Sequence, residues 1–296
     1  MKEGTPSRTA AWVAAARGLG MALPAHARIA EDPFGLAFSS PALSALVGRT
    51  GSVPAWALTP GLGDFVLYMQ VRTRVLDDAV RAFVAAGGRQ LVLLGAGYDC
   101  RALRLEELRE STVFEVDHPD TQRHKLAVLA RLGKDSPSRH LRWNFEADPL
   151  GTLPKALTAL GHDPNAPTLT LWEGVTMYLT AEALDASVRM IADYSAPGSR
   201  LAMTYLHSRR LAEPTWSTRA IAAVVARAGE PWRSGFDPDE LHDWMTVRGF
   251  GVARDESTAD AAARLLPRAY ARRVADSTRR VALVARESVA VAQRVP

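Results

Sequence analysis

Fifteen residues, LVLLGAGYDCRALRL from Leu91 to Leu105, restrict the fold of this chain more than any other stretch. Four apolar residues read as a buried strand. Gly95 and Gly97 read as a tight turn, and Arg101 to Leu105 as the start of a helix. Strand, glycine turn and helix together open a nucleotide-binding α/β unit. Glycine has no side chain to hold a ligand off the backbone, and such a turn aims N–H groups at that ligand.

The pattern repeats along the chain. Strands are expected at Gln90 to Leu94, Thr112 to Val116, His140 to Phe145, Thr168 to Trp172 and Ser199 to Tyr205, with two late ones at Gly249 to Arg254 and Arg280 to Ala285. Helical spacing of apolar residues fills Gly63 to Gly87, Thr121 to Leu132, Thr180 to Tyr194 and Pro238 to Arg248. Thr180 is a suitable N-cap. Strands alternating with helices predict an α/β, Rossmann-like fold: a mostly parallel seven-stranded sheet with helices on both faces. Residues 1–62 carry helical patterning but few strand signals and are expected to form a helical cap. Residues 63–296 form the core in this reading, with a substrate-cap insertion at about 205–240.

Composition removes several classes of function. The net charge is +4, and four of the 36 basic residues are lysine, leaving 36 − 4 = 32 arginines spread along the chain. Nucleic-acid binding calls for a localised basic stripe, so no nucleic-acid partner is expected. No run of about 18 apolar residues predicts a membrane span. The single cysteine, Cys100, excludes an internal disulfide, and the N-terminus has no signal pattern, so a cytoplasmic enzyme is expected. The seven histidines show no zinc-like spacing with Cys100, so no metal site is expected.

In open α/β sheets the ligand lies beyond the carboxyl ends of the strands. After the first strand come Gly95, Ala96 and Gly97. After the second comes Asp117, twenty residues beyond Gly97, where an acid can accept from both ribose hydroxyls of an adenosine. After the third come Asn144 and Phe145; after the fourth, Glu173 and Gly174. Cys100 stands where a dinucleotide site has its third glycine, which weakens a nicotinamide reading. Arg72 falls in the apolar stripe of the long helix, with Tyr68 and Leu76 four residues to either side. It either snorkels at the core edge or holds an anionic ligand group. Asp99 is either a helix cap or a ligand contact, and Glu173 either a helix N-terminal acid or part of the pocket.

LVLLGAGYDCRALRL, VFEVDHP and LWEGVTMYL, with YMQVRTRVLDDAV and SAPGSRLA, resemble the leucine carboxyl methyltransferase family, in its bacterial branch of class I methyltransferases. The resemblance runs from about Arg8 to Ala285. It implies S-adenosylmethionine as cofactor and S-adenosylhomocysteine as product. It matches Arg72 to the arginine that pairs with the methionine carboxylate, Gly95 and Gly97 to the turn under the methionine moiety, Asp117 to the ribose-binding acid, and Glu173 to the acid near the amino group and sulfonium. The third strand departs from the family, with Asn144 and Phe145 where Asp and Leu are usual. An Asn oxygen can still accept from the adenine amino group.

The expected reaction is methyl transfer to a carboxylate or hydroxyl of a small molecule, a secondary metabolite or a peptide C-terminus. A carboxylate is already ionised at neutral pH and needs no base; a hydroxyl needs one. Tyr178 is the catalytic candidate facing the substrate. His207 is a second candidate, or a satisfied structural histidine. Trp216, Trp232 and Phe236 either line an apolar substrate site or fill a core. The alternatives are a nicotinamide-dependent oxidoreductase and a non-catalytic cofactor-binding protein. The sequence gives no oligomeric state.

Overall fold

The computed structural model describes residues 6–39, 61–213, 216–227, 230–280 and 287–295. Helix α1 spans Arg8–Leu19 and α2 spans Leu62–Ala85. Strand β1 (Gln90–Leu94) leads through the glycine turn into the short helix α3 (Arg101–Arg104). Then come β2 (Thr112–Asp117), α4 (Pro119–Arg131), β3 (Arg139–Arg142), α5 (Leu153–Ala159), β4 (Thr168–Trp172), α6 (Ala181–Asp193) and β5 (Arg200–Leu206). The chain closes with α7 (Ser208–Ala212), α8 (Trp216–Arg227), α9 (Pro238–Thr246), β6 (Phe250–Ser257), α10 (Thr258–Leu265), α11 (Arg268–Arg280) and β7 (Glu287–Arg294).

One seven-stranded sheet has the order β3-β2-β1-β4-β5-β7-β6. The first five strands are parallel; β7 runs antiparallel to β5 and to β6. The sheet therefore matches the expected Rossmann-like class. Chain order reverses between β1 and β4, which opens a crevice beyond their carboxyl ends. All five residues of β1 and of β4 are buried, as strands covered on both faces require. One apolar cluster joins α1 and α2 to one face through Leu19, Leu67, Leu76, Leu91 and Leu169. Another packs α5, α6 and α9 on the opposite face through Leu157, Val188, Leu241 and Phe114.

One strand expectation is corrected. The third strand ends at Arg142 rather than Phe145, because the chain turns at Asn144, whose carbonyl accepts from the N–H groups of Ala147 and Asp148 at 3.0 and 2.8 Å. Of the strand expected at Arg280 to Ala285, Arg280 ends α11 and 281–285 lie outside the described residues. A strand that was not expected, Glu287–Arg294, pairs with β5, matching Arg200 with Gln293 and Leu206 with Glu287. Most of the loop expected at 51–62, and 40–60 of the proposed cap, also lie outside the described residues. Thr180 caps α6 as expected, its hydroxyl accepting from Ala183 N at 3.2 Å.

Candidate active site

At the crevice beyond β1 and β4 lies a cavity of about 460 Å³, within the range of small-molecule sites. Arg72, Gly95, Ala96, Gly97, Asp117, Asn144, Phe145, Glu173 and Tyr178 all line it. The topology explains the convergence: Gly95, Ala96 and Gly97 follow β1, Asp117 ends β2, Glu173 follows β4, and α2 brings Arg72.

The glycine turn is held in place from below. Gly95 N and Ala96 N donate to the Val116 carbonyl at 2.9 and 3.2 Å, and Gly97 N donates to Asp117 Oδ2. Gly95 and Gly97 have φ of +71° and +51°, a region that penalises any side chain. A Cβ on Gly95 would stand 2.6 Å from Val175 Cγ2, and one on Gly97 3.3 Å from the Ala10 methyl of α1. The turn is thus sandwiched between the loop after β4 and α1. Among the described residues this close packing leaves room only for backbone.

Asp117 accepts from Gly97 N and, at 2.5 Å, from His118 N. Burial pushes its pKa up to about 6, against the lowering effect of those two N–H donors. Glu173 is the opposite case. Burial alone pushes a carboxyl up, but the Arg101, Arg72 and Arg17 guanidiniums overcome it and hold Glu173 well below the usual carboxylate range. Its Oε1 accepts from Arg72 Nε at 2.9 Å and its Oε2 from Arg101 Nη1 at 2.8 Å. Glu173 is therefore a pocket carboxylate rather than a helix-end acid.

Arg72 is 5% exposed, so it does not snorkel. Besides Glu173 it reaches Tyr68 OH and Glu287 Oε2, each at 3.4 Å. Burial lowers its pKa, with Glu173 opposing. Asp99 Oδ1 accepts from Arg101 N at 2.7 Å and Asp99 also pairs with the Arg101 guanidinium, although the N-cap position of α3 is Cys100; Asp99 lines the cavity as well.

The other candidates separate cleanly. Asn144 Oδ1 accepts from Glu146 N at 3.0 Å, which commits one lone pair to a local turn. Tyr178 lines the cavity, and burial, with Glu230 adding to it, pushes its pKa up to about 12. Tyr178 is thus a neutral donor near pH 7. His207 is outside the cavity lining, stacked on Tyr205 with Nε2 2.8 Å from Ser288 Oγ. Phe236 packs against Tyr205 and Trp244, in the core rather than the cavity. The side chain of Trp216 lies outside the described residues. Cys100 is buried and its thiol is pushed up to about 12 by that burial, which removes it as a nucleophile.

Sequence reasoning missed Arg17, Arg101 and Glu230. Arg17 on α1 bonds Asp32 at 2.8 Å and the Tyr98 carbonyl at 2.7 Å. Arg101 stands in the signature stretch itself, but nothing local says that an arginine at a helix start is buried. Glu230 lines the cavity and accepts from Ser7 Oγ at 3.0 Å and from Thr9 Oγ1, which ties the segment before α9 to the start of α1.

The family model for leucine carboxyl methyltransferase matches residues 10–192, more than half the chain. The chain belongs to the leucine carboxyl methyltransferase family. A Mycolicibacterium gilvum protein provisionally named an S-adenosyl-L-methionine-dependent methyltransferase is 34% identical over 269 residues, 82% of this chain and 84% of that one. A Mycolicibacterium smegmatis protein with the same provisional name is 37% identical over 246 residues, 78% and 76% of the two chains. A crystal structure of a provisionally assigned methyltransferase from Thermobifida fusca shares the fold, with TM-score 0.58, 20% identity and coverage of 100% and 97%. The family member described here is thus a class I S-adenosylmethionine-dependent methyltransferase, and the nicotinamide reading falls away. No helix among its described residues is long and apolar enough to cross a membrane.

Proposed function

We propose that this family member is an O-methyltransferase whose acceptor is a carboxylate or hydroxyl of a small, largely apolar molecule. The observation that carries the reading is the composition of the lining. It combines charged groups, Asp117, Arg72 and Glu173 among them, with the apolar side chains of Val13, Met177, Leu179 and Pro231 and with Tyr178 and Arg233. Charged groups suit the cofactor and apolar ones suit an acceptor.

The cofactor fits the charged part of the lining on this structure's own terms. The backbone-only glycine turn admits a ligand at close range, the Asp117 carboxylate can accept ribose hydroxyls, and Arg72 and Glu173 offer one cation and one anion for an α-amino acid. Asn144 and Phe145 stand where the adenine would be flanked. When bound, the cofactor supplies an electrophilic methyl on a sulfonium. The protein's own contribution is alignment and exclusion of water, worth up to roughly 7–11 kcal/mol in favourable systems. Tyr178, as a neutral phenol, would donate a hydrogen bond to the acceptor oxygen. The N-terminal segment and the residues around Glu230 would form the roof of the acceptor chamber.

The test incubates the protein with methyl-labelled S-adenosylmethionine and a panel of carboxylic acids, phenols and alcohols. Label released as methanol on mild base marks a carboxyl ester; label that survives marks an ether. Cofactor binding with no transfer to any acceptor would favour the non-catalytic reading, and absence of cofactor binding would overturn the proposal.

A further inference from the structure

Glu173 is gripped by two buried arginines that differ in their origin and in their access to the cavity. Arg72 comes from α2, lines the cavity, and offers Nε at 2.9 Å. Arg101 comes from the start of α3, is 1% exposed, and is absent from the cavity lining. Its Nη1 donates to Glu173 Oε2 at 2.8 Å and to Asp99, while its Nε donates to Asp77 Oδ1 at 2.7 Å. Asp77 is itself fixed by Arg104, at 2.6 and 2.7 Å. Arg101 therefore ties together three elements: Asp77 on α2, Asp99 after β1 and Glu173 after β4.

A carboxylate at the floor of a pocket is useful to a cationic ligand group only if it stays ionised and points one way. Burial works against ionisation, so each oxygen needs a partner. An α-amino acid brings both a carboxylate and an ammonium. The carboxylate competes for the exposed side of the Arg72 guanidinium, and the ammonium competes for Glu173 Oε1, the oxygen that Arg72 now occupies. Arg101 cannot be reached from the cavity and keeps Oε2 throughout.

We propose that Arg101 is the positioning residue of the cofactor site: it holds Glu173 ionised and fixed by Oε2, so that Arg72 is free to exchange Glu173 Oε1 for the amino acid end of the ligand. The inference rests on the cofactor assignment made above. It makes the two arginines unequal, Arg72 an exchangeable contact and Arg101 a permanent strut, and it gives the DCRALRL segment a role beyond starting a helix.

Two ligands separate this role from simple folding support. S-adenosylhomocysteine carries the amino acid end; 5′-methylthioadenosine lacks it. Calorimetry on Arg101→Lys is expected to show S-adenosylhomocysteine weakened at least about tenfold, the scale of one charge-assisted hydrogen bond, with 5′-methylthioadenosine bound as in the wild type. Lysine keeps the charge but loses the fork that reaches Asp77 and Glu173 together. Asp77→Asn loosens the same guanidinium from the helix side and is expected to give the same split at smaller size, which keeps the test alive should Arg101→Lys not fold. Equal weakening of both ligands, or no change in either, in a folded variant overturns the inference. Failure of the wild type to bind either ligand overturns the cofactor assignment instead.

Discussion

Arg72 Nε meets Glu173 Oε1 at 2.9 Å, although 101 residues of sequence separate them. One comes from the helix before the sheet and the other from the end of its fourth strand, on the far side of the point where chain order reverses. Both side chains line the cavity.

Replacing Arg72 by Met removes the cavity-lining cation that pairs with Glu173 Oε1 but leaves Glu173 its bond to Arg101. S-adenosylhomocysteine affinity is expected to fall by roughly 10- to 100-fold, as for loss of a charged hydrogen bond. Thermal unfolding is expected to shift less than for a variant that strips both guanidiniums. Calorimetry and a melting curve check the two halves.

Asp117 predicts two opposed pH effects. Its pKa stands at about 6 in the fold against 3.8 in the unfolded chain. The folded state therefore holds the extra proton between those values. The stability tied to this group is lowest above pH 6, rises as pH falls through the window, and is flat below 3.8. Cofactor affinity runs the other way, because an ionised carboxylate is the better acceptor for ribose hydroxyls. Binding measured from pH 7.5 to 5 is expected to weaken below about 6 in the wild type, and Asp117→Asn to bind weakly without that inflection.

Gly95→Ala forces a side chain into positive φ and toward Val175. The backbone cost alone is roughly 1–2 kcal/mol. A lower melting temperature together with weaker S-adenosylhomocysteine binding is expected, whereas Gly133→Ala, which shares a positive φ but meets nothing within 4 Å, is expected to lose stability without losing affinity.

Lys125 supplies a check on the frame under the turn. It is buried, donates to Glu115 Oε2 at 2.6 Å and to the Asp99 carbonyl, and its pKa is raised because the surrounding groups, Glu115 foremost with Asp99, together outweigh the burial that would lower it. Lys125→Met leaves Glu115 buried with Ser138 Oγ donating at 2.8 Å and His140 Nδ1 3.5 Å away. Breaking such a pair from one side typically costs about 3–5 kcal/mol, and chemical denaturation is expected to show a loss of that order.

Much of the site was legible because each of its residues sits where the chain changes period. Gly95, Gly97, Asp117 and Glu173 each follow an apolar strand, and a strand end in a parallel sheet is a place the sequence marks. Arg72 was visible as a charge in an apolar stripe, but its two readings could not be separated until burial and the Glu173 contact were known. Glu230 carried no signal: it follows a helix with no strand behind it, and its meeting with Thr9 spans 221 residues. The strand at Glu287–Arg294 was missed for a related reason: its run ESVAVAQR mixes polar and apolar residues, and what marks it is pairing with β5 on one side and β6 on the other.

The sequence by itself determined the alternation of strands and helices, the backbone-only turn, and the acids that stand at the strand ends. These depend on side-chain periodicity and on glycine's freedom at positive φ, both properties of a few consecutive residues. Only the tertiary structure decided which charges meet: that Glu173 is held by Arg72 and Arg101 together, and that one of these faces the cavity while the other is sealed beneath it. Charge pairing in a low-dielectric interior depends on distances between groups far apart in the chain, and those distances exist only after the sheet has brought its strand ends to one edge.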